Sequence, residues 1–237
     1  MAMNFLEHCK FDWMELLNFR ERPFRAKLIP SKVWKDLDNY RNDSIGLMNY
    51  CRKWRTKVAF LPPLSQAKFY AEYVAVGGLY ESDTRQSTIE IHSNNFNKHE
   101  FTPRSWDAFK FRFIQTLMHE MIHFMQYERR SEDYNGYYLP HKKTKSVKKN
   151  ETRKYFSDYD EIQAYAHCIL IEYYTNRPNI PVTELVARCK TKRDSRTFGM
   201  ILKAFDNNFR GNEALPKLTQ HILKWDRKYH RVAKLPK

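Results

Sequence analysis

Apolar side chains recur along this chain with two different periods, and each change of period marks a change of element. Over Asn4–Asn18, Phe5, Leu6, Cys9, Trp13, Met14, Leu16 and Leu17 fall at helical spacing and predict a first helix. Pro23 and Pro30 bracket a connection. Ser31 then caps a second helix that runs over Trp34, Leu37 and Tyr40 towards Trp54, with Gly46 as its weak point. Between Phe60 and Ser93 the period shortens. Tyr70, Tyr73, Val74 and Val76 predict a strand and Gly77-Gly78 a turn. Ser87–His92 alternates polar and apolar residues, as a half-buried strand does. Asn94-Asn95, Asn97 and Pro103 mark the loop that follows.

The strongest helical signal comes next. From Trp106 to about Arg130 there is neither Pro nor Gly, and Phe109, Phe113, Leu117, Met121 and Phe124 repeat at three- to four-residue intervals. Ser105 is the expected N-cap, with Asp107 in the first turn, where the helix dipole favours an acid. Glu128–Phe156 is a polar interruption. Within it, His141–Lys154 holds seven basic residues and one acid, and reads as a mobile surface loop. Asp158 caps a further helix over Ile162, Tyr165, Ala166, Ile169, Leu170 and Tyr173, ending before Pro178; Val182–Lys190, Ser195–Phe205 and Leu215–His230 complete a helical remainder.

The expected architecture is therefore α+β and mostly helical, with a small antiparallel sheet beside the long central helix. It divides into an N-terminal helical region (1–58), a core (59–178) with a basic insertion (129–156), and a basic helical C-terminal region (179–237); the three are compatible with one continuous domain.

Composition sharpens this picture in three places. Six Gly in 237 residues disfavour a Gly-turn-rich barrel, and 42% hydrophobic residues are enough for a substantial core. The net charge is +15, and Arg188–Lys237 alone carries 14 basic residues against 4 acids. That excess implies attraction to nucleic acid or to acidic protein through the basic segment 141–154 and the C-terminal region. Cys9, Cys51, Cys168 and Cys189 are too scattered for a disulfide framework or a zinc ribbon, and read as buried thiols. Met1–Arg20 lacks the character of a signal peptide and no apolar run approaches membrane-spanning length, so a cytoplasmic protein is expected.

The chemistry lies in His119-Glu120-Met121-Ile122-His123. A helix advances about 100° per residue, so side chains four apart share a face. Two imidazoles so placed can hold one Zn²⁺, and the Glu between them can take a proton from metal-activated water and pass it to a leaving amine. Such a site needs a third protein ligand and an open position. The foremost candidate is Glu161, in the first turn of the helix that begins Asp158-Tyr159-Asp160-Glu161, where small Ala164 permits close packing. Asp158, Asp160, His141 and His167 stand as alternatives. His8, His92, His99, His221 and His230 read as ordinary surface or core histidines. Tyr127, Tyr134, Tyr137, Tyr138, Tyr155 and Tyr159 all lie close enough in sequence to donate to a developing oxyanion. Tyr159 is favoured because it precedes Glu161 by two residues. Asp160 is available to support a histidine's second nitrogen.

HEMIH with a downstream DEIQAYA helix resembles the gluzincin class of zinc metallopeptidases, and is similar to peptidases of tailed bacteriophages that couple HExxH to a D-E-I-x-A-x-A helix. The resemblance covers about sixty residues. It implies a zincin-like core, His119, His123 and Glu161 as zinc ligands, and Glu120 as general base. It also implies that Ile89, Glu90, Ile91 and His92 form the sheet edge that pairs with an extended protein or peptide substrate. A phage-encoded chain would act in the host cytoplasm. The long basic insertion departs from the pattern, and Gln126 and Arg129 occupy positions where metzincins need Gly and His. Three readings follow: a zinc metallopeptidase, a basic nucleic-acid-binding protein with a structural or vestigial zinc site, and a zinc hydrolase of a non-peptide substrate.

Overall fold

The alternation over Gln86–His92 builds the middle of a sheet. The computed structural model describes residues 31–62, 75–81, 86–130, 138–140, 142–177, 180–188 and 194–233. The helix expected over Asn4–Asn18 and the strand residues Tyr70, Tyr73 and Val74 lie outside them. The chain falls into two compact units, one containing Ile29–Phe124 and the other Met125–Lys237, so the division falls inside the long helix.

In the first unit, α1 (Ser31–Asp36) and a 3-10 turn (Leu37–Tyr40) lead into α2 (Ser44–Arg52). The second predicted helix is thus broken, though not at Gly46. The break comes at Asn42, whose backbone is left-handed (φ 62°) and whose side-chain amide donates to the carbonyls of Phe96, Asn97 and His99. Gly46 instead makes room for the Asp43 cap. The Asp43 carboxylate accepts from the Gly46 N–H at 2.8 Å, and a Cβ on Gly46 would stand 2.1 Å from that carboxylate's other oxygen.

β1 (Thr56–Leu61), β2 (Ala75–Glu81) and β3 (Gln86–His92) form a three-stranded sheet in the order β1-β3-β2. β1 runs parallel to β3 and β2 antiparallel to it, so the sheet is mixed rather than purely antiparallel. A second correction concerns Ile89, Glu90, Ile91 and His92. They lie in the central strand, in register with Val58–Leu61 on one side and Ala75–Gly78 on the other. A strand flanked on both sides has no free backbone edge for a substrate, so these four residues cannot pair with one. Ile89 and Ile91 point into the core with no exposed surface.

α3 (Pro103–Glu128) begins two residues before Ser105. Thr102 supplies the cap, accepting from Ser105 N–H at 3.1 Å, and Pro103 takes the first helical position, where no N–H is needed. Trp106, Phe109, Phe113, Ile114, Leu117, Met118 and Ile122 are all buried. Phe96, Phe101, Trp106, Phe109 and Phe113 form a chain of ring contacts with centroids 4.9 to 5.8 Å apart. Each such pair contributes about 0.5–1.5 kcal/mol beyond its buried area. Lys110, also buried, pairs with Asp38 at 2.6 Å.

The second unit continues from the last turn of α3. It contains α4 (Val147–Tyr155), α5 (Tyr159–Asn176), α6 (Val182–Arg188), α7 (Arg196–Ala204) and α8 (Ala214–Ala233). α5 is its axis, buried almost throughout from Ile162 to Tyr174. Its buried Glu172 and Tyr174 are matched. Glu172 accepts from Ser195 Oγ, Thr197 N–H and Thr197 Oγ1 at 2.7 to 2.9 Å, which places a carboxylate at the start of α7. Tyr174 donates to Asp226 and Trp225 to the Gln163 carbonyl, fixing α8 along α5.

α4 corrects the reading of His141–Lys154 as a loop. Ser146 caps it through the Lys149 N–H. Arg153, 3% exposed, anchors it by donating to the carbonyls of Ala204 and Lys142 and to Asp206. The helix is held by polar bonds rather than by an apolar stripe, which is why periodicity missed it. No helix among the described residues is long and apolar enough to cross a membrane.

Candidate metal centre

His119 and His123 stand one turn apart on α3, with Nε2 atoms 3.1 Å from each other and ring planes at 77°. His119 is 7% exposed and Glu120 4%. Two imidazoles and one carboxylate are thus gathered on a turn of helix whose remaining faces are apolar.

Glu161 is placed by the start of α5. Asp158 caps that helix by accepting from Asp160 N–H at 2.8 Å, which sets Tyr159, Asp160 and Glu161 in the first turn, as expected. The Asp160 carbonyl accepts from Gln126 Nε2 at 3.1 Å, and Gln126 also donates to Gln163. The Asp160 carboxylate is held by the two terminal nitrogens of Arg130. Gln126 belongs to α3 and lies three residues beyond His123, so these bonds tie the first turn of α5 to the continuing end of the histidine helix. Glu161 also receives a hydrogen bond from Tyr155, the last residue of α4, whose hydroxyl lies 3.1 Å from that of Tyr165. Burial of its hydroxyl, then the Glu161 charge and Tyr165, push the Tyr155 phenol above its ordinary range.

One nitrogen each from His119 and His123 and one carboxylate oxygen of Glu161 all lie within 4.8 Å of one another. A tetrahedral Zn²⁺ with bonds near 2.0–2.2 Å wants its ligand atoms about 3.3–3.5 Å apart. The group could hold a metal ion, and two imidazoles with one carboxylate are a donor set that suits zinc. The residues present fit the metal.

Three of the four alternatives to Glu161 are engaged elsewhere. Asp158 is the cap and Asp160 is committed to Arg130, which also removes Asp160 as a support for a histidine. His167 is fully buried against Trp225 and bonded to Tyr229. His141 lies outside the described residues. His92 contacts Glu90 and the Pro62 carbonyl. Tyr159 turns its ring onto His221, centroids 5.4 Å apart, and lines a cavity of about 710 Å³ with Leu139, Phe209, Pro216 and Lys217. His221 is a buried core residue. Burial first, then Lys224 and Lys217, lower its pKa to about 4, so it is neutral at physiological pH.

Sequence reasoning passed over Gly78 by reading Gly77-Gly78 as a turn. Both lie within β2. A Cβ on Gly78 would stand 2.4 Å from Glu120 Oε1 and 2.6 Å from Thr116 Cγ2, whereas one on Gly77 meets nothing closer than Glu90 Oε2 at 3.8 Å. The missing side chain lets β2 lie against the Glu120 carboxylate. The two glycines should therefore respond differently. The Glu120 carboxylate can swing away, but Thr116 is β-branched and stiff. Gly78→Ala is expected to cost about 1–3 kcal/mol by overpacking and Gly77→Ala well under 1, as read by urea denaturation; equal losses would remove the special role given to Gly78.

Comparison with protein-family models, with curated proteins and with solved structures gives no match.

Proposed function

We propose that the chain is a zinc-dependent peptidase with a zincin-like core, in which His119, His123 and Glu161 hold the metal and Glu120 is the general base. The observation that carries the reading is the buried Glu120 carboxylate, set between two candidate ligands and given room by Gly78. A purely structural site has no use for a carboxylate there.

Zinc, when bound, supplies Lewis acidity that polarises a carbonyl oxygen. The other roles fall to the chain. Glu120 takes a proton from the attacking water and returns it to the departing amine. Tyr155 orients Glu161 through its hydroxyl, and the Arg130–Asp160 pair fixes the turn that carries Glu161. β2, at the edge of the sheet among the described residues, offers its backbone to an extended substrate in place of β3. The ligand and base roles parallel the gluzincin resemblance of HEMIH and DEIQAYA.

Casein digestion tests the proposal. Purified protein supplied with zinc is expected to cleave casein, to stop in 1,10-phenanthroline, and to resume when zinc is restored. Cleavage indifferent to the chelator would reject the metal. Absence of cleavage in zinc-loaded protein would reject the peptidase and leave a non-peptide hydrolase to be sought.

A further inference from the structure

From Tyr138 to Tyr155 the chain contains seven basic residues and a single acid, Glu151. Two of the basic residues are engaged: Lys149 and Arg153 both pair with Asp206. Lys142, Lys143, Lys145, Lys148 and Lys154 are exposed and make no ion pair among the described residues. Five unneutralised cations within thirteen residues repel one another, yet the segment is held in one shape. Asn212 accepts from Lys142 N–H, Asn150 both accepts from and donates to the Thr144 backbone, and Arg153 ties down the Lys142 carbonyl. A rigid arrangement of like charges implies a polyanionic partner.

Aromatic rings are interleaved with these charges. Tyr138 is 46% and Tyr155 45% exposed. Lys154 Nζ lies 5.0 Å from the Tyr138 ring centroid, and the Tyr138 backbone is bridged to Asp158. A solvating face or an acidic-protein contact needs no exposed rings on an anchored backbone. Unstacked bases do, because each presents a π-face between phosphates. We propose that the face carried by Tyr138 and Lys142–Tyr155 binds single-stranded nucleic acid, its lysines on phosphates and Tyr138 under a base. Tyr155 joins this face to Glu161, so a bound strand would lie beside the candidate centre. That last step alone rests on the peptidase reading.

Fluorescence anisotropy with a short labelled oligothymidylate, in chelator, tests the face separately from the metal. Four phosphate contacts by Lys142, Lys143, Lys145 and Lys148 predict a log–log salt slope of about −2.8, or about 50-fold weaker binding at 200 than at 50 mM salt. The quadruple Lys→Gln variant should flatten that slope and bind more than about tenfold more weakly at low salt, while the quadruple Lys→Arg variant, which keeps the charge, binds as before. Tyr138→Ala should lose about tenfold with the slope unchanged, because stacking releases no counterions. Three results would overturn the proposal: undiminished binding by the glutamine variant, polyglutamate bound as tightly as the oligonucleotide, or duplex preferred with Tyr138→Ala silent.

Discussion

Glu161→Ala protein, purified without chelator, is expected to carry little zinc where the wild-type chain carries about one ion, with affinity lowered by more than about 100-fold. The magnitude follows from the ligand count. Groups that merely support a ligand cost about 10–100-fold in metal affinity when removed, and Glu161 is placed as a ligand itself. The remaining pair, His119 and His123, retains residual affinity because both nitrogens are already gathered on α3. Plasma mass spectrometry gives the content, and competition with a chromogenic chelator gives the affinity. Alanine also removes an acid from the first turn of α5, which costs about 0.3–1 kcal/mol of helix stability. Glu161→Gln keeps the shape and loses the same charge, so equally small losses of stability in the two variants, read by urea denaturation, would assign the weak zinc binding to the lost ligand and not to the fold. Full zinc in both variants would take the third ligand away from Glu161.

The parts of this site legible in the sequence are those that depend on neighbours along one helix. Four-residue spacing puts His119 and His123 on one face whatever surrounds them, and Asp158 caps α5 through an N–H two residues away. Such interactions are local, so the residue order displays them. What failed was pairing at a distance. The alternation over Ser87–His92 correctly gives the buried face of β3, but nothing in one strand's alternation says whether it has one neighbour or two. Here it has two, and the edge passes to β2. Gly77-Gly78 misled for a related reason. Glycine is a turn signal when only local conformation is considered, yet Gly78 serves a contact with Glu120 some forty residues onward. α4 was hidden because Arg153, Asn150 and Ser146 hold it by hydrogen bonds, and polar anchoring leaves no periodic apolar trace.

Glu120→Gln is expected to abolish peptide hydrolysis, by about 10²–10⁴-fold, while leaving zinc content at the wild-type level. The amide is close to isosteric with the carboxylate, so it fits the same buried space against Gly78 and leaves the histidines where they are. It cannot accept a proton from water at neutral pH, so only the proton-transfer role is lost. The loss should therefore fall on kcat rather than on KM, because Glu120 is assigned to the reacting water and not to the resting substrate. Glu120→Asp gives the complementary result. It keeps the base but draws it back by one methylene, and should retain partial activity. Casein cleavage paired with metal analysis on the same samples reads both quantities. Activity surviving in Glu120→Gln would mean that another group accepts the proton, and the case for catalysis at this helix would then rest on the metal ligands alone. Zinc lost along with activity would instead make Glu120 a ligand, and a site closed by four protein ligands is a structural one.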